Sequence, residues 1–173
     1  VPPNQTMKPL PLLVPLPTAF AAATFSAHAE EKTWLTFEGK DGPGKGKHVV
    51  LLAGDEEYRS EESMPMLAKI LSQRLGFKAT VLFSVEDDGR INPNKGESLS
   101  HPEALDSADA VVMALRFRHW PDATMAHFEQ AYLRGVPFVA LRTSTHAFTY
   151  GKDSKYANYA SHFCGPARVK WCG

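Results

Sequence analysis

The sequence predicts an α/β protein: a three-layer, mainly parallel sheet with helices on both faces. Three observations carry this. Apolar runs of strand length recur along the chain, segments with apolar residues at helical spacing alternate with them, and glycines mark where those segments stop. Strands that are apolar throughout are buried on both faces, and strand–helix alternation makes neighbouring strands parallel.

Residues 1–29 stand apart from that pattern. Lys8 precedes an alanine-rich apolar run over 10–25, which closes on Ala27-His28-Ala29. This order of charge, apolar stretch and small-x-small site reads as a secretory signal peptide cut after Ala29, and so predicts a periplasmic or extracellular protein. Pro9, Pro11, Pro15 and Pro17 interrupt the run, which leaves it short of the roughly 20 apolar residues a membrane span needs. Residues 30–46 combine Trp34, Leu35 and Phe37 with a glycine-rich stretch, and read as an edge segment followed by a linker.

The regular fold begins at Lys47. Residues 48–53 form a first buried strand ended by Gly54. Over 60–75, Met64, Leu67, Ile70, Leu71 and Leu75 recur at spacings of three and four, and Gly76 stands where a helix C-cap belongs. Residues 77–83 give a second strand and 108–115 a third, with a polar surface loop over 86–102. A helix over 121–134 places Met125, Phe128 and Tyr132 on one face, and 136–141 supply a fourth strand.

Composition narrows the function classes. With 173 residues, 43% hydrophobic and 22% charged, the chain can build one domain with a core. Lys plus Arg and Asp plus Glu are both 19, so no basic excess exists to neutralise a nucleic-acid backbone. Cys164 and Cys172 both lie beyond the predicted elements, which removes a cysteine nucleophile from the domain body; in an exported chain they would form a disulfide. His162 with these two matches no familiar metal spacing, and no dinucleotide fingerprint follows a strand, so neither metal nor cofactor is expected.

In an open parallel sheet, ligands bind beyond the carboxyl ends of the strands. Three segments fall there: 54–62, 116–120 and 142–146. Glu61 and Glu62 suit a helix N-terminus without further role. Glu56 and Glu57 lie in the turn itself, where a carboxylate can bind sugar hydroxyls, act as general base, or simply pair with Arg59 or Arg116. Arg116, Arg118 and Arg142 each follow a strand, and favour an anionic or multiply hydroxylated ligand or those same glutamates. Trp120 offers an apolar face to a sugar ring. Thr143, Ser144 and His146 occupy the strand-to-helix turn where α/β enzymes present a nucleophile, although Gly-x-Ser-x-Gly is absent.

The runs VVLLAGDEEYRSEE (49–62), ALDSAD (104–109), LRFR (115–118) and LRTSTHAF (141–148) resemble the trehalose-utilisation (ThuA-like) family, in its exported bacterial branch. The likeness covers about residues 47–159. It implies a class I glutamine amidotransferase-like fold, with a flavodoxin-like sheet, and a role in carbohydrate use. The family's amidotransferase relatives carry a cysteine in Gly-x-Cys-x-Gly at the elbow; here that place falls on Thr143, with Leu141 and Thr145 in place of the glycines, so glutamine hydrolysis is not expected. Residues 160–173 depart from the family's pattern, as in a truncated or frame-shifted chain, and a sheet cut there would expose an edge.

The expectation is a crevice for a sugar or sugar-derived acid, with Glu57, His146 and Ser144 as catalytic candidates and Glu56, Tyr58, Arg59, Arg116, Arg118, Trp120, Arg142 and Thr143 as ligand contacts. A non-catalytic carbohydrate-binding or accessory domain is the alternative. A homo-oligomer is left open.

Overall fold

The computed structural model describes residues 32–160. The predicted signal peptide and the Cys164–Cys172 pairing lie outside them, as does all but the first residue of the divergent tail.

Five strands form one sheet: β1 (Leu35–Phe37), β2 (His48–Gly54), β3 (Lys78–Phe83), β4 (Ala110–Leu115) and β5 (Phe138–Ala140), in the order β1-β3-β2-β4-β5. The β2–β3, β2–β4 and β4–β5 pairs are parallel, and β1 runs antiparallel along β3. Two α-helices join them, α1 (Ser60–Leu75) between β2 and β3 and α2 (Asp122–Leu133) between β4 and β5.

Alternation along the strands divides the core in two. Val49, Leu51 and Ala53 of β2, with Val112 and Ala114 of β4, pack against Met64 and Ala68 of α1. Val50 and Leu52, with Val111, Met113 and Leu115, pack against Met125, Phe128 and Ala131 of α2. A period of two presents apolar side chains to both sides, so each face needs its own helix. Around Phe128 an aromatic cluster of Trp120, Phe148 and Tyr159 extends the second core.

α1 ends as its sequence predicts, Gly76 adopting φ 77° and returning its N–H to Ser72. Its apolar stripe is narrower than expected. Met64, Leu67 and Leu71 face the sheet, whereas Ile70 and Leu75 are exposed.

The structure corrects the sequence at four places. The glycine-rich stretch before β2 is no free linker: Gly44 N–H bonds the Leu75 carbonyl at 2.8 Å, and Gly39 passes so near Gly76 that a Cβ would stand 2.2 Å from its carbonyl carbon. The fourth parallel strand spans Phe138–Ala140 instead of 136–141 and is an edge, with Val139 52% exposed. Beyond this strand the chain forms a short 3-10 turn, Arg142–His146, and among the described residues no α-helix follows it, where the sequence read a strand-to-helix turn. The 86–102 loop is also tied down more firmly than a surface excursion. Ser98 and Ser100 hydroxyls accept the N–H groups of Val85 and Phe83, and the loop runs into a 3-10 segment, Pro102–Ser107.

Candidate active crevice at the carboxyl ends of the strands

The chain leaves β2 for β3 on one side and later returns to place β4 on the other, so strand order reverses between β2 and β4. That is where a parallel sheet opens a crevice. Backbone strain gathers around it. Among the described residues the non-glycine residues with positive φ are Arg59 (51°), His101 (47°), Phe117 (53°) and Arg142 (48°), and Arg59, Phe117 and Arg142 lie in the turns directly after β2, β4 and β5. Such conformations cost about 1–3 kcal/mol each and persist where surrounding contacts hold them, most often at functional sites.

Asp55 organises the first segment. It is 1% exposed, and its Oδ1 accepts the N–H groups of Glu57 (2.9 Å) and Tyr58 (3.3 Å) while Oδ2 accepts the Thr143 hydroxyl. The Ser60 hydroxyl closes the turn, accepting the Asp55 N–H and donating to its carbonyl. Thr143, expected as a ligand contact, is thereby a buried strut between the loops after β2 and β5. Arg59 faces outward on Glu61 and Glu62.

Glu56 and Glu57 meet the arginines after β4. Arg116 pairs with Glu56 through Nη1 and with Glu57 Oε2 at 3.3 Å through Nε. Arg118, with a side chain only 4% exposed, reaches Glu56 Oε2 at 3.5 Å. Most of its donors go to main chain: Nε to Arg116 O at 2.6 Å, and Nη1 to Pro93 O at 2.8 Å. Gly54 makes room for it, since a Cβ there would lie 3.1 Å from Arg118 Cδ. Burial pulls the Arg118 guanidinium below its ordinary value, opposed chiefly by the Glu56 charge. Arg118 therefore holds the 84–98 loop against the sheet and presents no free donor fork to a ligand. Glu56 Oε2 and Arg116 Nε are shielded from solvent and held only by ion-pair contacts, to Arg118 Nη2 at 3.5 Å and to Glu57 Oε2 at 3.3 Å, with no hydrogen bond of good geometry to either.

The aromatic face at this rim belongs to Phe117. Its ring is 43% exposed, lies under the Arg116 guanidinium at 4.6 Å, and stands 5.0 Å from the His146 ring. Trp120, the aromatic expected there, is 1% exposed in the core against Phe128 and Phe148 and cannot touch a ligand in the crevice. After β4 the chain turns through the left-handed Phe117, which throws that ring outward and returns Trp120 to the interior.

Ser144 is 1% exposed, and its hydroxyl accepts the Leu115 N–H and donates to the Met113 carbonyl, both at 3.0 Å. It continues the β4 ladder where β5 has stopped. His146 contacts Thr145 Oγ1 at 3.3 Å through Nδ1; among the described residues no hydrogen bond joins it to Ser144, Glu56 or Glu57. The three residues expected to share catalysis are thus not assembled into a relay.

Beside the crevice, on the α1 face, a cavity of about 260 Å³ runs between α1 and the ends of β4 and β5, with Tyr58 and Arg142 at its mouth. A larger groove, about 480 Å³, lies between β1 and α1, lined by residues such as Thr36 and Gln73, away from the carboxyl ends. Among the described residues no cluster of His, Cys, Asp and Glu has the geometry to hold a metal, and no helix is long and apolar enough to cross a membrane.

Comparison with known proteins finds no family model, no curated protein and no solved structure that matches the chain.

Proposed function

We propose that this is an exported, ThuA-like protein of carbohydrate utilisation, with a three-layer flavodoxin-like fold, that binds a sugar or sugar-derived acid in the crevice between β2 and β4. The observation that carries the reading is the Glu56–Arg116–Glu57 cluster at the switch point, where Glu56 Oε2 and Arg116 Nε are solvent-shielded and have ion-pair contacts but no hydrogen bond. Carboxylates accept from hydroxyls, a guanidinium donates to hydroxyl or carboxylate oxygens, and the Phe117 ring supplies an apolar face, a set suited to a polyol ring. Ser144 is spent on the β4 backbone and His146 has no acid partner among the described residues, so the arrangement favours binding over turnover, the accessory-domain form of the reading.

The test is calorimetric titration with neutral disaccharides, sugar acids, sugar phosphates and glutamine, each measured on the wild type, Glu57→Gln and Arg116→Gln. Saturable binding of one sugar class, weakened about tenfold or more in both variants, is expected, because each loses a charge-assisted hydrogen bond. Binding of no sugar, or binding indifferent to both substitutions, overturns the proposal.

A further inference from the structure

The cavity beside the crevice differs from it in chemistry. Its walls are Met64 and Leu67 of α1, Ala114 of β4, and Leu141, all apolar. Apart from Arg142 and Tyr58 at the mouth, its polar lining is Ser63 and Asp55. Asp55 already accepts two N–H groups and the Thr143 hydroxyl.

Arg142 is set apart from the other arginines of these loops. Arg59, Arg116 and Arg118 all face glutamates, whereas Arg142 has no carboxylate partner among the described residues. Its guanidinium lies 4.3 Å over the Tyr58 ring and donates through Nη2 to the Tyr58 hydroxyl. That stacking fixes the planar fork at the mouth and leaves its remaining donors free. The residue that delivers it is in the left-handed region, φ 48°, shortly beyond β5.

A fixed, unpaired guanidinium over an apolar slot selects a ligand with an anionic head and a hydrocarbon body. A polyhydroxylated ring would lose water from its hydroxyls against Met64, Leu67, Ala114 and Leu141 and find almost nothing to replace it. The volume is below the roughly 300–1,000 Å³ of sites for drug-sized ligands, so the body is small. We propose that this slot is a second binding site, separate from the sugar crevice, for a small apolar monocarboxylate whose carboxylate pairs with Arg142. It goes beyond the crevice reading and stands whether or not that reading does.

The probes are benzoate, its neutral analogue benzamide, and glucuronate, titrated into the full chain by calorimetry and followed by amide chemical shifts. Arg142→Gly removes the guanidinium at a position where glycine carries no backbone strain, and Leu67→Phe narrows the slot with Arg142 intact. Saturable benzoate binding is expected, weaker by about tenfold or more in Arg142→Gly, weakened also in Leu67→Phe, and unchanged in Arg116→Gln. Benzamide and glucuronate should each bind at least about tenfold more weakly than benzoate. Absence of benzoate binding, equal binding by Arg142→Gly, or glucuronate binding as tight as benzoate overturns the site. Loss of benzoate in Arg116→Gln with retention in Arg142→Gly would assign the anion to the crevice and likewise overturn it.

Discussion

Ser144→Ala separates a structural hydroxyl from a catalytic one. In the native fold the Ser144 Oγ accepts the Leu115 N–H at 3.0 Å and donates to the Met113 carbonyl at 3.0 Å. Leu115 is 0% exposed, so alanine leaves its N–H without protein or solvent partner. The Met113 carbonyl keeps the Leu141 N–H at 2.9 Å and is not orphaned. The cost is therefore that of one buried unsatisfied donor, about 1–3 kcal/mol. At roughly 2–4 °C per kcal/mol for a chain of this size, a loss of about 2 kcal/mol lowers Tm by about 4–8 °C. Thermal melts and urea titrations monitored by circular dichroism measure it, with the urea slope expected to be unchanged because the same surface is exposed on unfolding. Ligand binding in the β2–β4 crevice should survive once the variant is folded. A Tm within about 1 °C of wild type would refute the structural assignment, since a buried N–H cannot lose its partner at so small a cost.

Other expectations concern parts of the fold away from the crevice. His48 is half-buried with Nδ1 3.0 Å from Ser107 Oγ and Nε2 2.9 Å from Thr80 Oγ1; burial first, then the Lys78 charge, lower its pKa below the ordinary 6.5, against the pull of a hydrogen bond to Ser107 and the Asp109 and Glu38 charges. Below pH 6.5 the unfolded chain takes up a proton that the folded chain resists, so this contribution is complete above pH 6.5 and is lost as pH falls through that value towards the folded pKa. Melts from pH 8 to pH 5 should show the decline, and His48→Gln should flatten it relative to wild type; an unchanged slope would sink the assignment. Gly39→Ala forces a methyl to within 2.2 Å of the Gly76 carbonyl carbon, backbone against backbone, and should cost about 1–3 kcal/mol in chemical denaturation. Gly135→Ala, with φ 78° and nothing within 4 Å, is the comparator and should cost only about 1 kcal/mol of strain; equal losses at the two positions would deny the close approach.

The reach of each signal decides how much of the fold is legible in the sequence. Periodicity is local, and the apolar runs of β2, β3 and β4 and the stripe of α1 are legible because each needs only its own neighbours to state which face is buried. β5 reads too long for the same reason. The apolar sequence from Val136 to Leu141 reads as interior, but its position at the sheet edge depends on strand order, which no window of residues contains. The glutamates and arginines are legible as a group, because strand ends fix where loops gather; their division of labour is not. Arg118 and Arg142 both lie just beyond strands, yet one is spent on main-chain carbonyls and the other is left without an acid. That difference arises from the loop at 84–98 closing over Arg118, a contact between segments more than twenty residues apart in sequence. Trp120, expected at the crevice, lies in the core, and Phe117 takes the exposed position at the left-handed turn after β4. The strained residues at the crevice, invisible to pattern, are where local preference yields to the assembled sheet; among α/β chains a useful search would look for consecutive strand ends carrying arginine–aromatic–arginine, as Arg116-Phe117-Arg118 does here, and expect the aromatic to point outward.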